Sequence, residues 1–284
     1  LDKGQKYGSN NKNETYNIEF VSANPTGPMH VGHSRGAIFG DVLSNLLTFN
    51  GNTVTKEYYI NDYGNQIVNF TESVFYRLRE IQFKEKFPNN ENLYPGDYVI
   101  DIAKNILKEY PKIDLNNFKK NFDMLSEQSL KHSMSLIKLD LKSLGISHDN
   151  FVSEKVLVEK NLVEKVIHDL REKKFVEEGF LDPPKGEEKM DWKKIKRLIF
   201  KSTLFEDDTD RALQKNDGSW TYFANDVAYH SDKISRKYNY LINILGADHT
   251  GYIKRISAAV KALSNNKTIL ICKVCQLVKL FKGG

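Results

Sequence analysis

The chain has 284 residues, enough for one large domain or two smaller ones with a true hydrophobic core. Its 40% hydrophobic and 28% charged content is that of a globular protein, and no apolar run nears the ~20 residues of a membrane helix. The two cysteines, Cys272 and Cys275, exclude a disulfide framework, and the net charge of +5 permits a polyanionic partner without requiring one. Leu1-Asp2-Lys3-Gly4-Gln5-Lys6 has no apolar h-region, so no secretory leader is expected and the cytoplasm is the expected location.

Residues 1–15 are polar and read as a lead-in. Ile18 and Phe20 mark a first strand. A Pro/Gly turn follows (Asn24-Pro25-Thr26-Gly27-Pro28), then a helix through Leu47 that is closed by Asn50-Gly51. Residues 54–60 are β-rich and predict a second strand. Strand, helix, strand in about 45 residues is a βαβ unit and implies a parallel sheet. Helical spacing then predicts helices over 66–83, from an Asp97 N-cap to Tyr110, and over 118–144. A strand near Phe151, a helix with Leu162, Val166 and Leu170, and short strands at 175–181 and 198–204 form a small mixed piece. Pro183-Pro184-Lys185-Gly186 is a turn. The α/β pattern returns with a strand at 220–223, a helix at 225–238, a strand at 240–245, a helix at 253–263 and a strand at 268–274.

The predicted fold is α/β: a Rossmann-like parallel sheet with helices on both faces. It is interrupted by a helical insertion and a small mixed α/β insertion. The expected division is a lead-in at 1–15, a first half of the nucleotide-binding domain at 16–64, the helical insertion at 65–147, the mixed insertion at 148–216, and a second half at 217–284.

The chemistry concentrates between Asn17 and His33. A helix N-terminus exposes unpaired N–H groups and partial positive charge, which favours phosphate. His30 and His33 lie three apart on its first turn and can donate to anionic oxygens. Gly32 leaves room for a flat group, Pro25 and Pro28 stiffen the turn, and Gly32, Gly36 and Gly40 make a smooth helix face. His-x-x-His alone would also suit a metal pair; with the strand, turn and glycine face around it, the pattern reads as nucleotide handling.

His30-Val31-Gly32-His33 resembles the HIGH motif of class I aminoacyl-tRNA synthetases, and Glu19-Phe20-Val21-Ser22-Ala23-Asn24-Pro25 resembles the arginyl-tRNA synthetases among them. Three more blocks match that family in order: Tyr58 to Gln66, Asp217 to His230, and Leu245 to Tyr252. The resemblance implies an arginine–tRNA ligase that activates L-arginine with ATP and Mg2+ and charges the 3'-terminal adenosine of tRNA(Arg). It implies His30 and His33 as catalytic residues. His30, Gly32, His33, Gly246, Asp248 and His249 would bind ATP. Glu19, Asn24, Asp62, Tyr222, Asp226 and Asp248 would bind arginine, with the Tyr222/Asp226 pair holding the guanidinium and Asp62 the α-amino group. No protein-bound metal, no membrane partner and a monomer are expected. Asp226 alone would equally suit a helix-terminal charge.

His230 is expected to be structural, and His132, His148 and His168 to be at the surface. Cys272 and Cys275 are expected to alternate out of a buried strand rather than hold zinc. Lys193, Lys194, Lys196 and Arg197, and Lys84 and Lys86, are candidate tRNA-backbone contacts. The lysine-rich KMSKS loop of class I enzymes is not found; it would follow Gln276 to Gly284. Some family members place a substitute lysine before the first histidine, but Gly27 stands there. The expectation is therefore a catalytic-domain fragment, weakly active or inactive alone. A non-catalytic synthetase-like protein that binds RNA or an amino acid, and an HxGH-type nucleotidyltransferase, are the alternatives.

Overall fold

The structure is a computed structural model that describes residues 4–181, 195–276 and 278. Five parallel strands form its centre, in the order β3-β2-β1-β7-β8. They are β1 (Thr15–Glu19), β2 (Thr53–Ile60), β3 (Asn150–Ser153), β7 (Tyr240–Gly246) and β8 (Ile269–Cys275). A second, antiparallel sheet joins β4 (Val176–Gly179), β5 (Arg197–Phe200) and β6 (Arg211–Ala212). The helices are α1 (Val31–Phe49), α2 (Asn65–Phe83), α3 (Asp97–Glu109), α4 (Phe118–Ser143), α5 (Glu154–Glu159), α6 (Leu162–Glu172), α7 (Tyr222–Ser235) and α8 (Ile253–Ser264). No helix among the described residues is long and apolar enough to cross a membrane.

Both faces of the parallel sheet are covered, as this sheet type demands. On one face Ala37 of α1 and Met134, Ile137 and Leu141 of α4 pack with Ile18, Tyr58 and Ile242. On the other, Val227 and Ala228 of α7 and Ala258, Ala259 and Ala262 of α8 pack with α6. A third core, around Phe70, Val74, Leu78, Val99, Ile102 and Leu125, lies within α2, α3 and α4, so the helical insertion has apolar packing of its own. The strand order reverses between β1 and β7. In open α/β sheets that switch point leaves a crevice at the carboxyl edge.

Three expectations are corrected. Residues 220–223 are not a strand: Thr221 caps α7, which starts at Tyr222, and Trp220 makes a single bridge to Gln214. Tyr222 and Asp226 are thus one turn apart on one helix. The strand near Phe151 belongs to the parallel sheet, pairing Glu57–Ile60 with Asn150–Ser153, and not to the small sheet. Gly96, not Asp97, is the N-cap of α3. The turn at Pro183-Pro184-Lys185-Gly186, and Lys193 and Lys194, lie outside the described residues.

The glycine face of α1 is uneven in its demands. A Cβ at Gly40 would sit 2.3 Å from the Phe20 ring, whereas one at Gly36 would meet Ile244 at 3.8 Å, an ordinary contact. Gly40→Ala is therefore expected to destabilise by about 1–3 kcal/mol through overpacking, despite a gain in helix propensity. Gly36→Ala is expected to be neutral or slightly stabilising. Urea unfolding of the two variants checks this; equal stability would remove the close α1–β1 approach as a constraint.

Candidate active site

The backbone leaves β1 in an uncommon conformation. Val21 and Ser22 have φ of +71° and +38°, a left-handed region costly for a β-branched residue. Ser22 is held there on both sides: its hydroxyl donates to Glu19 Oε1 at 3.0 Å and accepts from the Tyr59 N–H at 3.0 Å. The Tyr58 hydroxyl donates to the Ala23 carbonyl at 2.7 Å. The chain then turns and enters α1 at His30.

His30 and His33 cap that helix reciprocally. His30 Nδ1 accepts from the Gly32 N–H at 3.1 Å, and His33 Nδ1 accepts from the His30 N–H at 3.2 Å. The rings stack with centroids 3.8 Å apart. With each Nδ1 an acceptor, each neutral ring carries its proton on Nε2. Burial, then the neighbouring His30, holds His33 below the usual histidine pKa and keeps it neutral. A Cβ at Gly32 would lie 2.9 Å from the His30 ring, so glycine is required for this fold-back.

Two adjoining cavities open at the switch point. One, of about 400 Å³, is lined by His30, Gly32, His33, Gly36, Gly246 and Asp248. The other, of about 530 Å³, is lined by Glu19, Asn24, Glu154, Tyr222, Asp226 and His249. Val21, Ile244, Leu245 and Gly246 form the wall common to both.

The second cavity holds three carboxylates in different states. Glu19 is already paired: Lys233 Nζ donates to its Oε2 at 2.5 Å, and the lysine side chain is fully buried. Lys233 also donates to Asn243 Oδ1 at 3.1 Å; the Asn243 amide donates to His230 Nε2 at 3.0 Å, and His230 Nδ1 donates to the Asp226 carbonyl at 2.8 Å. Burial and the Lys233 charge lower His230 to about 3, so it stays neutral and structural. Asp226 and Glu154 have no cationic partner among the described residues; Asp226 accepts from the Tyr252 hydroxyl and Glu154 from the Asn225 amide at 3.0 Å. Burial pushes each carboxyl up to about 7, against those hydrogen bonds. Tyr59, beside both, is raised further by burial and the surrounding acids.

Most sequence-predicted residues meet here, with three differences. Asp62 lies on neither cavity: its carboxylate accepts from the Ser153 hydroxyl at 2.6 Å and the Lys155 N–H at 2.9 Å, which caps α5. Asp248, expected beside both ligands, lines only the histidine cavity, and His249, expected beside ATP, lines the carboxylate cavity. Glu19 faces the cavity as an ion pair, not as a free acid. His148 is not a surface residue. Its ring lies tilted against that of Phe20, centroids 4.2 Å apart, and burial lowers it to about 4. Cys272 packs in the α7/α8 core and Cys275 against the α1 core, on opposite faces of β8. Lys196 pairs with Glu178 at 2.7 Å.

Glu154, Lys233 and Tyr252 were missed. Lys233 had a signal: residues 222, 226, 229 and 233 share one helical face. Glu154 follows the last residue of β3, where the carboxyl-edge rule would have pointed had that strand been assigned to the main sheet.

The family model for class I tRNA synthetases (R), catalytic domain, matches residues 1–271. The chain belongs to that family. It is 59% identical to the arginine–tRNA ligase of Pelagibacter ubique over 98% of this chain and 49% of that protein. It is 51% identical to the Ehrlichia chaffeensis arginine–tRNA ligase over 94% of this chain and 46% of that protein. A Campylobacter jejuni structure described as a candidate arginyl-tRNA synthetase superposes with a TM-score of 0.80 at 32% identity, covering 99% of this chain and 60% of that one. The Thermus thermophilus arginyl-tRNA synthetase, at 16% identity and a TM-score of 0.62, shares the fold. The chain thus spans about half the length of the curated relatives it matches.

Removing one member of a buried ion pair leaves the other uncompensated. Lys233→Met is expected to cost about 3–5 kcal/mol in urea unfolding, with part recovered in the Lys233→Met/Glu19→Gln double variant. A single variant as stable as the parent would show that the pair does not hold β1, β7 and α7 together.

Proposed function

We propose that this chain is the catalytic part of an arginine–tRNA ligase, acting in translation. It activates L-arginine with ATP to arginyl-adenylate and passes the arginyl group to the 3'-terminal adenosine of tRNA(Arg). The observation that carries the reading is the pair of carboxyls, Asp226 and Glu154, left without a cation in a cavity that adjoins a histidine-capped helix start. A buried carboxyl raised to about 7 is a site that gains most from a permanently charged partner, and the guanidinium is the side-chain cation that never deprotonates.

The Nε2–H groups of His30 and His33 act as neutral donors to phosphate oxygens, and the N-terminus of α1 adds its partial positive charge. ATP lies in their cavity, with Asp248 accepting from the ribose hydroxyls. Arginine lies in the other, its guanidinium between Asp226 and Glu154, with Asn24 and Tyr222 beside it. The common wall at Val21 and Gly246 brings the arginine carboxylate against the α-phosphorus. Attack there forms the mixed anhydride and expels pyrophosphate. The protein contributes position and charge stabilisation, not a covalent step. Mg2+, where it accompanies the triphosphate, would be held by the phosphate oxygens, since Asp248, the one carboxylate lining this cavity among the described residues, is given to the ribose.

Because Asp226 and Glu154 must ionise to pair with the guanidinium, arginine affinity is expected to rise with pH through about 7. Below it, binding weakens by about tenfold per pH unit for each carboxyl that must lose a proton. Citrulline, the neutral isostere, should bind weakly with no such slope. Calorimetry between pH 6 and pH 8 checks both; a flat arginine profile would overturn the carboxyl pairing. Asp226→Asn is expected to cost about 2–5 kcal/mol of arginine binding. Arginine-dependent ATP–pyrophosphate exchange by the chain is expected to be weak, and to fall about 10²–10³-fold further in His33→Ala. Exchange that ignores arginine would favour an HxGH-type nucleotidyltransferase; arginine binding without any exchange would favour a non-catalytic binding protein.

A further inference from the structure

The eleven residues between β1 and α1 make few backbone hydrogen bonds of their own; only Phe20, Ser22 and the first helical N–H groups are paired in that way. Their remaining polar groups need partners from elsewhere. Two partners come from the helical insertion, from different helices, and both grip the turn that delivers His30.

The first is Tyr98, the second residue of α3. Its hydroxyl donates to the Thr26 carbonyl at 2.8 Å. Its ring lies in a slot between two glycines: a Cβ at Gly96 would be 2.5 Å from it, and a Cβ at Gly27 would be 3.1 Å from the hydroxyl. Gly27 therefore has a steric role, and any side chain there would push against the insertion. The second is Asp140 of α4, whose Oδ2 accepts from the Met29 N–H at 3.0 Å. Met29 immediately precedes the helix cap, and its side chain packs in the core that includes Met134 and Leu141 of α4. The turn is thus held at Thr26 and at Met29, on either side of Gly27-Pro28.

We propose that Tyr98 and Asp140 are positioning residues through which the helical insertion sets the orientation of His30 and His33, and with it the affinity of the phosphate-binding turn for nucleotide. The proposal rests on the nucleotide reading of that turn. Neither residue lines either cavity, so each acts only through the backbone it holds. The reciprocal capping of His30 and His33 depends on the direction in which the chain arrives at Met29. Losing either hold lets that direction vary and weakens the two N–H···Nδ1 bonds that keep both protons on Nε2. Burial raises the Tyr98 hydroxyl to about 12, so it remains a donor throughout the physiological range.

The test is equilibrium binding of ATP and, separately, of L-arginine, together with 15N spectra of the imidazole nitrogens. Tyr98→Phe removes only the hydroxyl. Asp140→Ala removes the acceptor, and Asp140→Asn retains one. Tyr98→Phe and Asp140→Ala are each expected to weaken ATP binding about tenfold, the loss of roughly one hydrogen bond. Arginine binding should change less than about twofold, since Asp226 and Glu154, which hold the guanidinium on the proposed reading, lie on α7 and α5. The His30 and His33 signals should lose their Nε2–H tautomer pattern, and Asp140→Asn should restore most of both. Parent-like ATP binding with unchanged imidazole signals in both loss variants would overturn the proposal. So would equal loss of ATP and arginine binding, which marks general unfolding. If the parent binds no ATP but the imidazole signals still respond to the two variants, the positioning stands and the nucleotide reading fails.

Discussion

Lys233 lies fully buried with Glu19 of β1 on one side and Asn243 of β7 on the other. These two strands flank the switch point, where no crossover helix covers the carboxyl edge. A cation taken out of water is costly, and here a carboxylate, an amide oxygen and the face of Tyr229 offset that cost. The pair ties α7 to both strands. A second pair extends it: Arg236, partly exposed, holds the buried Glu57 of β2, which also accepts from the Tyr229 hydroxyl at 2.8 Å. With Asn150 of β3 donating to Glu57 at 2.8 Å, one polar seam crosses four of the five strands. The rest of the crevice is built on it.

The seam decides what the cavity can bind. Glu19 is neutralised from within, so its charge is not available to a ligand. Asp226 and Glu154 take hydrogen bonds only from neutral donors, and burial outweighs both those bonds and the Lys233 charge that acts on Asp226. The cavity is therefore one cation short. A ligand that brings a fixed charge completes it, whereas a neutral ligand leaves two buried acids to take up protons. Selectivity of this kind comes from an unsatisfied electrostatic demand more than from shape.

The adjoining cavity solves the opposite problem. On the proposed reading a phosphate would need donors there, and charged imidazoles stacked 3.8 Å apart would repel each other. Reciprocal capping resolves this by using both Nδ1 atoms as acceptors, which leaves two neutral rings that donate from Nε2. The fold-back works only with glycine at position 32 and a chain that arrives at Met29 in one direction. The strained backbone at Val21 and Ser22 separates the two cavities, and it persists because Glu19 and Tyr59 hold the serine hydroxyl from both sides.

Much of this was legible in the residues. β-rich and apolar runs located the parallel strands and period-3.6 spacing the helices, because local composition and spacing report what is buried. The histidine pair, Gly32, and the Tyr222/Asp226 spacing were visible as local motifs, and motifs within one turn keep their geometry wherever the helix goes. What the sequence could not supply was anything set by strand order. Phe151 reads as a strand, but only pairing with β2 carries Glu154 to the edge of the crevice. Asp62 sits at a strand end as expected, yet Ser153 and the α5 backbone occupy it. Lys233 looks like one surface lysine among many until α7 is laid across β1 and β7. Charge type is written in the sequence; whether a charge is free, paired or short of a partner depends on distances between segments hundreds of residues apart, which only the tertiary structure decides.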